Sequence, residues 1–299
     1  MKFAIASSLD EALQLVADGA RPIAGGTDLV VGARHGKAPF PASVVAIDRL
    51  SELRKVETTG GDTTVIGALV SHAMLMSDSA IVARHTGLAD ASALVGSPAT
   101  RHVGTLGGNV MNASPAMDAG APLLTMNAVV ELRSTAGVRF VPIGQLWTGP
   151  GATSADRTEL CVAIHVPIVE GSGSAYVRLE YRRAMEIAVV GASATVALDT
   201  SGNLSSIDVA LTAVAPTIIS VDGLEILLGS APGEEFFGAV AEAASARATP
   251  ISDLRASDTY RRHTVGVMAR RAVEAAVRRA SGEIISVPVN RAIGIGAAS

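Results

Sequence analysis

Short apolar runs and segments of helical period alternate along this chain, and their order predicts a mixed α and β fold. Ser8-Leu9-Asp10-Glu11 is a capping-box pattern, and Leu9, Ala12, Leu13 and Val16 recur at helical spacing behind it. The opening therefore reads as strand, helix, strand and loop. Val44-Val45-Ala46-Ile47 and Thr63-Thr64-Val65-Ile66 have the look of buried strands. Met74 to Arg84 and Leu88 to Leu94 read as helical until Pro98 breaks the pattern. Val129 to Arg133 and Val138 to Val141, separated by Ser134 to Gly137, read as a hairpin.

The composition then turns to glycine and serine, first at Gly149-Pro150-Gly151 and again at Gly171-Ser172-Gly173-Ser174, where few side chains are available for packing. The second run is the expected domain boundary. Beyond it, Ala175 to Tyr181, Val189 to Leu198 and Ile207 to Val214 read as strands, with Thr200 to Asn203 as a turn. Two helices, Gly233 to Arg247 and Ser257 to Ala280, should cover that sheet. The arginine pairs Arg261-Arg262, Arg270-Arg271 and Arg278-Arg279 recur along the second, and are expected on a solvated or partner-facing surface.

Two segments interrupt the periodic pattern with paired glycines: Ala24-Gly25-Gly26-Thr27-Asp28 and Thr105-Leu106-Gly107-Gly108-Asn109. Glycine lacks a Cβ and tolerates positive φ, so successive N–H groups can converge on an anion without a lysine. Either pair alone reads equally as an ordinary turn; the two together point to a dinucleotide. Ser114-Pro115 is a good helix start, which would place Asp118 in a first helical turn close to the second segment.

Composition narrows the field. The 299 residues, 48% of them hydrophobic and 17% charged, are enough for one large or two ordinary domains. A net charge of −4 and 3% aromatic content argue against nucleic-acid binding. The single Cys161 excludes an intrachain disulfide, a cysteine-rich zinc site or an iron–sulfur cluster held by this chain alone. The amino terminus lacks a signal-peptide core and no long apolar run occurs, so cytoplasmic residence without membrane insertion is expected.

Other motifs fail on inspection. Gly32 to Ala38 misses the P-loop spacing and its Ser or Thr, and reads as a surface loop. No G-x-G-x-x-G follows a strand. Gly191 to Thr195 misses the nucleophile elbow at its last position, leaving Ser193 structural. The six histidines show no metal-ligand spacing, so no metal site is expected.

The two glycine segments, the run Asn112-Ala113-Ser114-Pro115-Ala116-Met117-Asp118 and the stretch Asp253 to Arg262 closely resemble the medium, FAD-binding subunit of bacterial molybdenum hydroxylases, the xanthine dehydrogenase and carbon monoxide dehydrogenase family. The similarity spans nearly the whole chain. It implies an α+β fold: a two-part vanillyl-alcohol-oxidase-type (PCMH-type) FAD-binding domain over 1–173, with parts at about 1–56 and 57–173. A smaller α+β flavoprotein domain would follow over 174–282, then a tail over 283–299. By position, Ala24, Gly25, Gly26, Thr27 and Asp28, with Thr105, Gly107, Gly108 and Asn109, would hold the FAD pyrophosphate. Asp118 would reach the ribose or adenosine side, and Leu160 and Arg178, with Val95 and Ala188, would lie near the flavin ring. Arg178 stands where relatives often carry Lys, and the two cations differ in geometry and hydration.

The resemblance also implies partners. A large subunit would carry the molybdopterin cofactor and a small one the 2Fe-2S clusters, the three chains pairing as a dimer of heterotrimers. This chain would be the electron exit, needing no catalytic acid or base of its own, since the redox chemistry belongs to the cofactor. Thr27-Asp28, where some carbon monoxide dehydrogenases carry His-Ser, tilts the expected substrate towards an N-heteroaromatic or other organic compound; the acceptor stays open. Two rival readings are a stand-alone flavin reductase or oxidase on the same fold, and a non-catalytic FAD-dependent assembly protein.

Overall fold

The computed structural model describes residues 1–36 and 38–295. Its first unit comprises β1 (Lys2–Ile5), α1 (Leu9–Ala17), β2 (Arg21–Ile23), α2 (Leu29–Arg34) and β3 (Ser43–Ala46). The three strands form a parallel sheet in the order β1-β3-β2. Ser8 caps α1 by accepting the Glu11 N–H, while the Glu11 carboxylate reaches back to Ser7 rather than to Ser8. The helix buries Ala12, Leu13 and Val16 against β3. The surface loop expected from Gly32 is in its first half the end of α2; its Lys37 lies outside the described residues.

The second unit is a five-stranded antiparallel sheet in the order β4-β5-β10-β6-β7. Its strands β4 (Val56–Thr59) and β5 (Thr63–Gly67) are followed by six short helices. These are α3 (His72–Leu75), α4 (Ser79–Arg84), α5 (Thr86–Leu94), α6 (Pro98–Val103), α7 (Leu106–Asn112) and α8 (Gly120–Thr125). Then come the hairpin β6 (Val129–Ser134) and β7 (Gly137–Pro142), the turn α9 (Ile143–Leu146), the small pair β8 (Trp147–Gly149) and β9 (Ala152–Thr153), and β10 (Leu160–Pro167). Leu88, Leu106, Leu123, Val130 and Ile164 join helices and sheet in one core.

The helical pattern over Leu88 to Leu94 does stop before Pro98: α5 ends at Leu94, and Pro98 then opens α6 behind a Ser97 cap, where its missing N–H costs nothing. One expectation fails in this region. No helix starts at Ser114. The chain has just completed α7, leaves it through Ala113 in the left-handed region (φ 50°), and turns through 114–119 before α8. Asp118 therefore lies in a turn, not in a first helical turn.

The third unit is an antiparallel sheet in the order β11-β12-β13-β14, from β11 (Ser172–Leu179), β12 (Val190–Leu198), β13 (Leu204–Thr212) and β14 (Ile219–Ser220). Helices α10 (Glu234–Arg247) and α11 (Asp258–Ala280) cover one face; α5 and α8 of the second unit lie against the other. A last short helix, α12 (Val289–Ala292), returns to β11. Both faces of the sheet are thus buried, and alternate residues serve different cores: Ala175 and Val177 join α11, whereas Tyr176 joins the second unit.

The glycine- and serine-rich run is itself the start of β11. A Cβ on Gly173 would stand 2.2 Å from the Ala276 carbonyl oxygen, so glycine is what lets α11 lie directly on the strand. The arginine pairs of α11 do not form one solvated face either. Arg261 is buried against Asp253 and the Ala213 carbonyl, and Arg279 reaches inward to Asp90 at 2.5 Å.

Candidate functional site

The first glycine segment follows directly from β2. Gly26 takes φ 67°, which redirects the chain into α2 at no steric cost only for glycine. Among the described residues, the backbone N–H groups of Gly25, Gly26 and Thr27 donate to no protein acceptor. Three successive donors without a protein acceptor are the kind of backbone an anion nest needs.

The second segment is built differently. Thr105 is the N-cap of α7 and its hydroxyl accepts the Gly108 N–H at 3.1 Å. The N–H groups of Leu106, Gly107 and Asn109 bond to Val70, Ala68 and Thr105 carbonyls. This backbone is therefore spent inside the protein, and the expectation of a second nest is corrected. What the segment does offer is side chains: the Thr105 hydroxyl hydrogen and the Asn109 amide, whose buried Oδ1 has no partner. The glycines serve close approach, since a Cβ on Gly107 would stand 2.6 Å from that of Ala68.

The fold brings the two segments together. A Cβ on Gly25 would fall 1.9 Å from the Val103 carbonyl oxygen, and one on Gly104 would lie 3.6 Å from the Thr27 hydroxyl. The first segment thus rests on the residues that immediately precede Thr105. Beneath it, Leu160 lies in the same apolar cluster as Ala24. His72 also touches this junction; burial, with Arg101 nearby, pushes its imidazole down to about 4, so it stays neutral.

Asp118 and Arg178 meet at the interface between the second and third units. Arg178 Nη1 donates to Asp118 Oδ2 at 2.8 Å, and its Nε donates to Glu180 Oε2 at 2.9 Å. The Tyr176 hydroxyl donates to Asp118 Oδ1 at 2.8 Å. Arg178 is 0% exposed. Burial works against its charge, but Asp118, Tyr176 and Glu180 raise its pKa above the ordinary guanidinium value. Burial and then Asp118 hold Tyr176 protonated. With two carboxylates beside it, Arg178 carries no uncompensated positive charge. Val95 ends α5 and accepts an N–H from Arg101, while Ala188 is fully buried before β12.

The sequence reading missed Tyr176 and Glu180. The signal was present: Ser174, Tyr176, Arg178 and Glu180 alternate with Gly173, Ala175, Val177 and Leu179, which is the two-residue period of a strand with one polar face.

The first 169 residues match the family model described as the FAD binding domain in molybdopterin dehydrogenase, and residues 175–276 match the CO dehydrogenase flavoprotein C-terminal domain. The chain belongs to this family of FAD-binding medium subunits. The xanthine dehydrogenase FAD-binding subunit of Escherichia coli O157:H7 is 34% identical over 93% of this chain and 97% of its own. The carbon monoxide dehydrogenase medium chain of Hydrogenophaga pseudoflava is 36% identical over 80% and 83%. A solved carbon monoxide dehydrogenase from the same organism, lacking the Mo-pyranopterin moiety of its cofactor, superposes with a TM-score of 0.88 at 32% identity, covering 93% of this chain and 98% of that one. The chain is thus an oxidoreductase component with an FAD-binding domain and a flavoprotein C-terminal domain, as the sequence resemblance implied. Among the described residues no helix is long and apolar enough to cross a membrane.

The residues present fit a flavin dinucleotide. The N–H groups of Gly25 to Thr27, without an acceptor among the described residues, the Asn109 amide with its unpartnered acceptor oxygen, and the close backbone approach that Gly25 and Gly107 allow towards Val103 and Ala68 make one candidate site. A separate cavity of 210 Å³, lined by Glu52, Lys55, Glu57, Glu131 and Arg133 among others, shares no residue with it.

Proposed function

We propose that FAD lies between the two glycine segments, with its pyrophosphate on the N–H groups of Gly25, Gly26 and Thr27. The side chains of Thr105 and Asn109 flank it, Gly107 seats the segment on Ala68, Gly108 gives it room, and Asp28 stands at the start of α2. The observation that carries this reading is the set of three successive N–H groups without a protein acceptor, held against Val103 and Gly104. Asp118, fixed by Tyr176 and Arg178, addresses the ribose or adenosine side. Leu160 supplies apolar wall towards the ring.

When bound, FAD supplies the redox chemistry, and this chain's residues bind it, orient it and exclude water around it. Electrons would reach it from a molybdenum centre in a large partner through 2Fe-2S clusters in a small one, and leave to an external acceptor. The natural assembly on this reading is a cytoplasmic dimer of heterotrimers acting on an N-heteroaromatic or other organic substrate. The division into 1–173, 174–282 and a tail belongs to the same reading, with its first boundary falling inside β11.

The test replaces both Gly26 and Gly108 with valine and measures flavin per chain after gel filtration. Loss of flavin with the C-terminal domain still folded is expected. Full occupancy in the double variant would defeat the placement.

A further inference from the structure

The strand that carries Tyr176 and Arg178 is an edge strand: β11 pairs with β12 on one side only. Along its open side, the outward backbone groups of every second residue should be unpaired, which is costly when both faces are buried. Four of them are paired by side chains. The Ser174 carbonyl accepts from Arg279 Nη1 at 2.7 Å. The Tyr176 N–H donates to Asp90 Oδ2 at 3.3 Å. At Arg178 both groups are engaged by one side chain: its N–H donates to Asn290 Oδ1 at 3.1 Å, and Asn290 Nδ2 donates to its carbonyl at 2.8 Å.

Side chains from three separate elements thus stand where a neighbouring strand would be. They are tied to one another. Asp90, on α5 and 0% exposed, also accepts from both Arg279 terminal nitrogens and from the Val289 N–H at 2.8 Å. Arg279 Nη2 donates to the Ile285 carbonyl. Val289 and Asn290 are themselves fully buried. Both family models end before this arm, at residues 169 and 276.

We propose that the C-terminal arm, Ile285 to Ala292, is a working part of the cofactor site: a surrogate strand whose Asn290 and anchoring Asp90 are positioning residues for Asp118. The logic is one of register. The backbone positions held here, 178 by Asn290 and 176 by Asp90, which Val289 of the arm anchors, are the two whose side chains grip the Asp118 carboxylate. Releasing them lets the end of β11 shift along its open edge, and Asp118 loses its fixed orientation with it. The inference rests on the placement of FAD proposed above.

The test uses the native protein with any chains that co-purify, stripped of flavin and titrated with FAD. Asn290→Ala removes both bonds to Arg178 and should raise the FAD dissociation constant by about tenfold, the effect of losing roughly one to two net hydrogen bonds. Asn290→Asp keeps the acceptor, loses the donor and should fall between. In an Arg178→Lys background, Asn290→Ala should add less than twofold, because both act through Asp118. Far-UV circular dichroism should stay at the parental value.

An FAD dissociation constant within twofold of the parent in Asn290→Ala, with a lowered melting temperature, would overturn the proposal and leave the arm a plain domain clasp. Additive losses in the double variant would overturn it equally. Gly26→Val is the control for the underlying placement: parental affinity in that variant sinks the cofactor site itself, whereas parental affinity in the Asn290 variants alone sinks only the arm.

Discussion

The Gly25→Ala substitution adds one methyl group at the point where the two glycine segments touch. That methyl carbon would stand 1.9 Å from the Val103 carbonyl oxygen and 2.6 Å from its carbon. It falls about 1.5 Å short of an ordinary contact, and both sides of the clash are backbone, so no side chain can swing aside. Overpacking typically costs about 1–3 kcal/mol, and a clash between two backbones belongs at the upper end. For a domain of this size, about 3 kcal/mol corresponds to a melting temperature lowered by roughly 6–12 °C. The cleft also opens, so flavin should be lost beyond what the stability change explains. Differential scanning calorimetry with and without excess FAD, together with flavin per chain from absorbance, reads both effects. FAD at about a hundred times its dissociation constant should stabilise the parent by about 2.7 kcal/mol and the variant by much less. Gly32→Ala is the matched control: it lies in α2 with nothing within 4 Å, and should gain up to about 1 kcal/mol. A Gly25→Ala protein that melts within a degree of the parent and keeps its flavin would refute the reasoning.

Three other outcomes follow from the buried polar groups. His72 and His85 are each 1% exposed, and burial, helped by Arg101 and Arg84 respectively, pushes both down to about 4. Below about pH 6.5 the unfolded chain takes up protons that the folded chain refuses, so stability is complete above that pH and falls towards pH 4, by about 1.4 kcal/mol per unit for each. Urea midpoints at pH 7 and pH 5 check this; a double His→Gln variant with the parental pH slope would contradict it. The Cys161 thiol, buried and pushed up to about 12 by burial and by Glu131, should resist iodoacetamide in the native protein and react after denaturation; rapid native labelling would show the strand is not closed over it. Arg178→Met leaves Asp118 and Glu180 together without their cation, and should cost about 3–5 kcal/mol in thermal or urea unfolding. A loss below 1 kcal/mol would contradict this account of the buried ion pairs.

Most of the architecture was legible because it rests on local periodicity. Helices α1, α10 and α11 and the strands β11, β12 and β13 of the third sheet show their period within a few turns of chain, whereas the two-residue β14 does not. The errors lie where a local signal had a non-local cause. Pro98 and Ser114-Pro115 are the same kind of word, a Ser-Pro pair, yet one opens α6 and the other lies in a turn, because α7 has just ended at Ala113. The Gly171–Ser174 run looked like a linker because its lack of side chains serves α11, which is distant in sequence. At the site, the glycine pairs were visible as such, but not the difference between them: the N–H groups of Leu106 and Gly107 are consumed by Val70 and Ala68, which no local pattern reveals. Arg178 could be placed near the cofactor by resemblance, whereas its neutralisation by Asp118 and Glu180, and the hold of Asn290 on its backbone, depend on contacts across the fold.

The claim on which everything else depends is the position of the dinucleotide. A crystal structure of the protein with FAD bound tests it directly. Pyrophosphate oxygens within hydrogen-bond distance of the Gly25, Gly26 and Thr27 N–H groups, with the Thr105 and Asn109 side chains alongside, are the predicted result. A pyrophosphate seated elsewhere, for instance in the separate cavity beside Lys55 and Arg133, with the Gly25–Thr27 donors turned to solvent, would contradict the account.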